Sequence, residues 1–246
     1  MATAPAADQR RLLDVQELDT RLDQLAHKRR TLPELARIAE LEGQVGDLHT
    51  ALVTSRTAVE DLRREVAKAE ADVEQVRSRA ARDQARIDSG QGTAKDLQAL
   101  TSELESLARR QGDLEEVELE VMERLEAHEK ALADVSSAHE QLVGQRTVVE
   151  GERDTAVATI DAEAEQVRAQ RAKAVDGLDA GLVALYERLR GQLGGQGAAR
   201  LRGNRCEGCR LELNPLDLDT IRAASADQVV RCEECGRILV RGADEA

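Results

Sequence analysis

The chain has no Phe, no Trp and one Tyr, Tyr186, and only three prolines in 246 residues. A globular core of this size ordinarily contains several aromatic rings, so an ordinary globule is not the expected architecture. No apolar run is long enough to span a bilayer, and the opening MATAPAADQRRLLDVQ lacks the apolar core of a secretory signal. The expected location is therefore the cytoplasm, with no membrane partner. Cysteine is missing from the first 205 residues. A basic excess is missing too: Lys+Arg 35 against Asp+Glu 48 gives a net charge of −13, a surface that repels phosphate backbones. Residues 200–246 carry eight Arg against nine Asp or Glu, so the acidity lies upstream. Any nucleic-acid contact is expected near the cysteines.

What the sequence has in abundance is charge, 34% of residues, arranged around apolar positions at heptad spacing. Steps of three and four from Ile38 reach Leu41, Val45, Leu48, Leu52, Ser55, Val59, Leu62, Val66, Ala69, Val73, Val76, Ala80, Asp83 and Ile87. Thirteen of these fifteen positions are apolar, the pattern of a coiled-coil seam. A second seam runs from Leu97 to Val149 and is weaker, with eleven of sixteen apolar and with Gln111, Glu118, His128, His139 and Arg146 interrupting it. Val175, Leu178, Leu182, Leu185 and Leu189 continue the helical spacing to about Arg190.

Between the seams, DSGQGTAKDLQAL supplies two glycines that stop one helix and a Thr93/Asp96 capping box that starts the next. A short loop between two long helices makes them antiparallel neighbours. Upstream, TLPEL offers Thr31 and Glu34 as another capping box, with Pro33 acceptable in a first helical turn. The expected fold is mainly α, a long antiparallel coiled-coil hairpin followed by a small C-terminal β zinc ribbon. Its expected parts are a hairpin over 1–190 (a short or kinked helix 8–30, a helix 33–88, a tip 89–93, a helix 94–190), a Gly-rich linker over 191–204 and a four-cysteine ribbon over 205–246. The glycines at 191, 194, 195, 197 and 203 read as a hinge that uncouples ribbon from rod.

No P-loop, no GxGxxG stretch and no grouping of nucleophile and base can be read from the chain, and the four histidines are scattered. The expectation is a protein that is not an enzyme. The chemistry resides in RCEGCRLELNPLDLDTIRAASADQVVRCEECGRILVRG, where Cys206 and Cys209 are separated by 22 residues from Cys232 and Cys235. Two CxxC turns brought together offer four thiolates to one tetrahedral ion, with Zn–S distances of ~2.3 Å. QVVR and RILVR read as strands flanking the second turn. Iron as in rubredoxin and a dithiol–disulfide cycle are the alternatives. The lack of aromatics weighs against the first, and the lack of a thioredoxin-like βαβ setting against the second. With four protein ligands, one Zn2+ would have a structural role.

GTAKDLQALTSELESLARRQGDLEEVELEVME after the tip, with CEGCRLELNP and RCEECGRILV at the end, resembles the bacterial four-cysteine zinc-ribbon proteins that carry an N-terminal coiled-coil hairpin. The resemblance implies a hairpin with a ribbon near its open end and Cys206, Cys209, Cys232 and Cys235 as metal ligands. Proteins of this kind are commonly labelled nucleic-acid-binding, and some relatives are adaptors for an alternative sigma factor or for secretion and flagellar components. The first expectation is thus an adaptor that holds protein partners along the hairpin or at the ribbon. The alternative is a nucleic-acid-binding regulator acting through the ribbon, with Arg202, Arg205 and Arg210 as its contacts. That alternative has no aromatic platform on which bases could stack.

Overall fold

A computed structural model describes residues 2–242. Helices α1 (Ala6–Arg30), α2 (Pro33–Asp88), α3 (Ala94–Val175), α4 (Ala180–Gln192) and α5 (Pro215–Ala223) are joined by strands β1 (Ala198–Arg202), β2 (Arg205–Cys206), β3 (Val230–Arg231) and β4 (Ile238–Val240). The chain divides into two compact units, residues 36–150 and residues 1–35 with 151–246.

The unit of residues 36–150 is the coiled-coil hairpin. None of the fifteen positions from Ile38 to Ile87 is exposed, and eight of them are buried, because a 3.5-residue repeat keeps one stripe of α2 turned to its partner. On the α3 side only Val121 and Val149 are buried, as the polar interruptions foretell. Leu142 and Val149 close the open end against Ile38 and Leu41. Exposed ion pairs such as Arg63 with Glu129 at 2.7 Å and Arg77 with Glu115 at 2.6 Å run across the seam and add register more than stability. At the tip the Asp96 amide donates to Thr93 Oγ1, and the Thr93 amide donates back to Asp96 Oδ2, a reciprocal capping box. The Thr93 hydroxyl and amide hold the Asp96 carboxyl below its ordinary range. Thr31 plays a different part from the one its sequence suggests. Its hydroxyl donates to His27 O and closes the end of α1 instead of opening α2.

In the other unit, α1 lies along the last third of α3, with Leu25 and Leu32 packed on Ile160, Ala164 and Val167. The helix expected to run unbroken to 190 ends at Val175. Gly177 takes φ +73 and Asp179 then caps a new helix by accepting from the Leu182 amide at 2.8 Å. The corner is clamped from α1, where Arg11 donates to Asp176 O and Asp8 accepts from the Asp179 amide.

The Gly-rich stretch is not a hinge. Residues 198–202 form β1, one of the two inner strands of a sheet ordered β2-β1-β4-β3, in which β1 runs parallel to β4 and the outer pairs are antiparallel. Ala198, Val229 and Ile238 share one core with Leu12 and Val15 of α1 and Leu182, Tyr186 and Leu189 of α4. Gly197 is required there because a Cβ would sit 2.7 Å from Tyr186 O and 3.0 Å from the Arg190 amide. Gln16, buried on α1, accepts from the Gly197 and Ala198 amides and donates to Gly195 O. The backbone before α1 joins the same structure: Ala4 N donates to Asp227 O, and Val229 N to Ala2 O.

Candidate metal centre

Both CxxC turns repeat one backbone pattern. The Cys206 amide donates to Leu211 O and the Arg210 amide to Cys206 O; equivalently, the Cys232 amide donates to Arg237 O and the Gly236 amide to Cys232 O. The first turn leaves β2, and the second joins β3 to β4. Their sulfurs meet: Cys206 Sγ lies 3.9 Å from Cys235 Sγ, Cys209 Sγ lies 3.9 Å from Cys232 Sγ, and all four lie within 4.8 Å of one another. A tetrahedral centre with Zn–S of ~2.3 Å has edges of about 3.8 Å, so the thiols already stand at ligand spacing. A disulfide would need about 2.05 Å, and all four cysteines are free.

The turns also supply hydrogen bonds to sulfur, from the Gly208 and Cys209 amides to Cys206 and from the Cys235 and Glu234 amides to Cys232. Burial nevertheless pushes the Cys206 thiol up and the Cys232 thiol up to about 12. Burial acts the same way on Cys235, but the Arg237 amide and guanidinium and the neighbouring thiols outweigh it and bring Cys235 down to about 7. Metal uptake must therefore displace protons from the buried pair, and affinity falls as pH falls. With all four cysteines as ligands no position would be left for substrate or activated water, so the metal would serve to hold the fold.

Around the sulfurs Ala199, Leu213, Leu218, Ile221, Val230 and Leu239 make a small core without an aromatic ring. Helix α5, which has no counterpart in the sequence-based reading, covers it from between the turns; Asn214 caps it and Pro215 begins it.

The two turns put different residues at the same left-handed position. Gly236 has φ +73, and its equivalent in the first turn, Arg210, has φ +63, the one non-glycine residue in the left-handed region among those described. That region costs an L-residue roughly 1–2 kcal/mol. Arg210→Gly is expected to stabilise the zinc-loaded ribbon by about 1 kcal/mol, measured as slower or weaker loss of zinc to a competing chelator.

Arg202, Arg205 and Arg210 do come together, around a shallow cleft that also contains Glu207. Arg202 Nε stands 3.1 Å from the Glu207 carboxylate, and Arg205 Nε donates to Arg210 O at 2.6 Å. The arginines of the second turn hold backbone: Arg231 donates to Gly236 O, and Arg237 to Gln196 O and Leu193 O. Arg241 donates to the Ile221, Ala224, Ser225 and Gln228 carbonyls, closing the C-terminal end of α5.

Four thiols at ligand spacing on paired turns, carried by a small sheet and joined in sequence to a coiled-coil hairpin, define a C4 zinc-ribbon protein. The chain belongs to the family of the CT398-like coiled coil hairpin domain, whose model matches residues 15–194, and the C4-type zinc ribbon domain matches residues 205–239. It is 39% identical to the Mycobacterium tuberculosis protein Rv2229c over 238 residues, 97% of each chain. It is 31% identical to Mycobacterium leprae ML1638, covering 90% of this chain and 95% of that one. A solved structure from Mycobacterium smegmatis superimposes with a TM-score of 0.87 at 38% identity, over 97% of this chain and 100% of the other. CT398 from Chlamydia trachomatis shares the fold with a TM-score of 0.69 at 20% identity, over 95% and 97% of the two chains.

Proposed function

We propose that the protein is a non-enzymatic adaptor whose zinc ribbon and hairpin each present surface to protein partners. The observation that carries this reading is the use made of the ribbon's polar groups. The four thiols would saturate one ion, and Arg205, Arg231, Arg237 and Arg241 serve backbone carbonyls while Arg202 faces a carboxylate. Beside the first turn, the positive charge of Arg202, Arg205 and Arg210 is diluted by Glu207 in the cleft they share. On the hairpin, α3 leaves Val117 49%, Leu119 60% and Met122 47% exposed within six residues, apolar area of the kind that protein contacts cover. Among the described residues no helix is long and apolar enough to cross a membrane.

Crosslinking from native lysate with the zinc-loaded chain, with and without nuclease, tests the reading. A defined protein partner is expected to survive nuclease and to be lost on combined Leu119→Glu and Met122→Glu substitution, with helicity unchanged. Affinity for random DNA or RNA is expected to be weaker than about 10 μM near physiological salt, inside the non-specific range. Sub-micromolar, sequence-selective binding that Arg202→Ala, Arg205→Ala and Arg210→Ala together abolish would overturn the adaptor and establish the nucleic-acid reading.

A further inference from the structure

A second cleft, of about 550 Å³, opens where the start of α1 meets the ribbon. Its walls come from the first turns of α1 (Gln9 and Arg10), from the β1–β2 turn (Leu201), and from Arg222, Ala224 and Arg241 around the end of α5 and after β4. Three arginines, Arg10, Arg222 and Arg241, line it, and among the described residues no Asp or Glu does. In a chain of net charge −13 this is out of keeping with its surroundings. The groove along α1 and α3 contains Asp14, Glu17 and Glu163, the cleft near α4 contains Asp23 and Glu187, and the cleft of Arg202 contains Glu207.

The three cations are held differently. Arg241 is half-buried and its terminal nitrogens are fixed on four carbonyls, dipoles that orient the guanidinium without neutralising it. Asp227, whose carboxylate is influenced by Arg241, already accepts from Ser225 Oγ at 2.6 Å and does not line the cleft. Arg10 and Arg222 are exposed on two different elements at the mouth, from which flexible side chains can reach one anion. Between them lie the apolar surfaces of Ala6, Leu201, Ala224 and Ala226. We propose that this cleft binds a small phosphate-bearing ligand, with Arg10 and Arg222 on the phosphates and the apolar wall against the rest of the molecule. The volume suits a nucleotide-sized ligand, since small-molecule sites run from about 300 to 1,000 Å³, and guanidinium is the side chain that matches phosphate in geometry as well as charge. The assignment is independent of the adaptor reading, because none of its residues belongs to the arginine cleft of the first turn or to the exposed face of α3.

The test is calorimetric titration of the full-length, zinc-loaded protein with inorganic phosphate, pyrophosphate, ADP and a random single-stranded oligonucleotide. Saturable binding of pyrophosphate or ADP at sub-millimolar Kd is expected. Arg10→Ala and Arg222→Ala should each weaken it roughly tenfold or more, since each removes hydrogen bonds between charged groups. Arg10→Lys should recover part of the loss, and Arg202→Ala should change nothing. Binding of ADP well above pyrophosphate assigns the apolar wall to the nucleoside, and equal binding assigns the site to the phosphates alone; either supports the proposal. No saturation by 5 mM of any of the phosphates, or binding indifferent to both alanine variants at unchanged zinc content and helicity, would overturn it. Tight oligonucleotide binding that depends on Arg10 and Arg222 would overturn the assignment to a small ligand.

Discussion

Removing the zinc, by chelation or by Cys206→Ser or Cys232→Ser, is expected to unfold the ribbon and to take part of the helical content with it. The protein as purified should hold one zinc per chain, because the four sulfurs stand at the edge lengths of one tetrahedron. Structural zinc is worth about 10–16 kcal/mol of apparent binding energy in small ribbon- and finger-like folds, comparable to the whole stability of a domain. A core of mostly aliphatic side chains around Cys206 and Cys232 cannot replace that. The loss propagates because β1 and β4 complete the core that contains Leu12, Val15, Leu182 and Tyr186. The 25 residues of α1 and 13 of α4 therefore lose one side of their packing. Far-UV circular dichroism should fall partway, leaving the helicity of residues 36–150. Unchanged helicity in metal-free protein would show that ribbon and helices are uncoupled after all.

That prediction turns on the point where sequence reasoning was least reliable. The hairpin and the metal set were legible because their signals are periodic or rare: a 3.5-residue repeat over fifteen positions has few structural meanings, and four cysteines in two CxxC pairs have fewer. The tip was legible for the same reason, since Thr93 and Asp96 need only each other. Thr31 and Glu34 have the same spacing, yet Thr31 is captured by the helix before it, which spacing alone does not reveal. The glycines from 191 to 203 looked like a hinge because glycine is permissive in an isolated chain. Here Gly197 answers a steric demand from Tyr186 and Arg190, residues that tertiary packing brings to it. Likewise β1 is short and begins Ala198-Ala199, with no β-branched residue to announce a strand, and its partner is β4, about forty residues on. The buried polar residues of α1, Gln9, Gln16 and Asp19, resemble any others on a charged helix until the elements they serve are in place.

Asp19→Ala is expected to be the most damaging single substitution in the helical part of this unit. Asp19 is 1% exposed, and its carboxylate accepts from Tyr186 Oη at 2.7 Å and from Arg171 Nε at 2.6 Å, with Arg190 Nε at 3.6 Å. One side chain of α1 thereby ties α3 to α4. Removing one member of a buried ion pair costs about 3–5 kcal/mol, because the partners stay charged and desolvated. Arg171 keeps a second acceptor in Glu187, which places the expected loss toward the lower end of that range. Tyr186→Phe removes only the hydroxyl and should cost about 1 kcal/mol. With no Trp and a single Tyr, tyrosine fluorescence follows this unit alone in urea, so the loss on Asp19→Ala can be read from a shifted midpoint. Alkaline pH gives an independent check. Burial and the Asp19 hydrogen bond both push the Tyr186 phenol above its ordinary value of about 10, so the folded state holds its proton after the unfolded state has released it. Its contribution is complete below pH about 10 and declines as pH rises beyond, and phenolate absorbance should appear only with unfolding. Phenolate forming reversibly near pH 10 while helicity stays intact would show that Tyr186 is not held as described. A loss under about 1 kcal/mol for Asp19→Ala would show that the carboxylate does not join the three helices energetically.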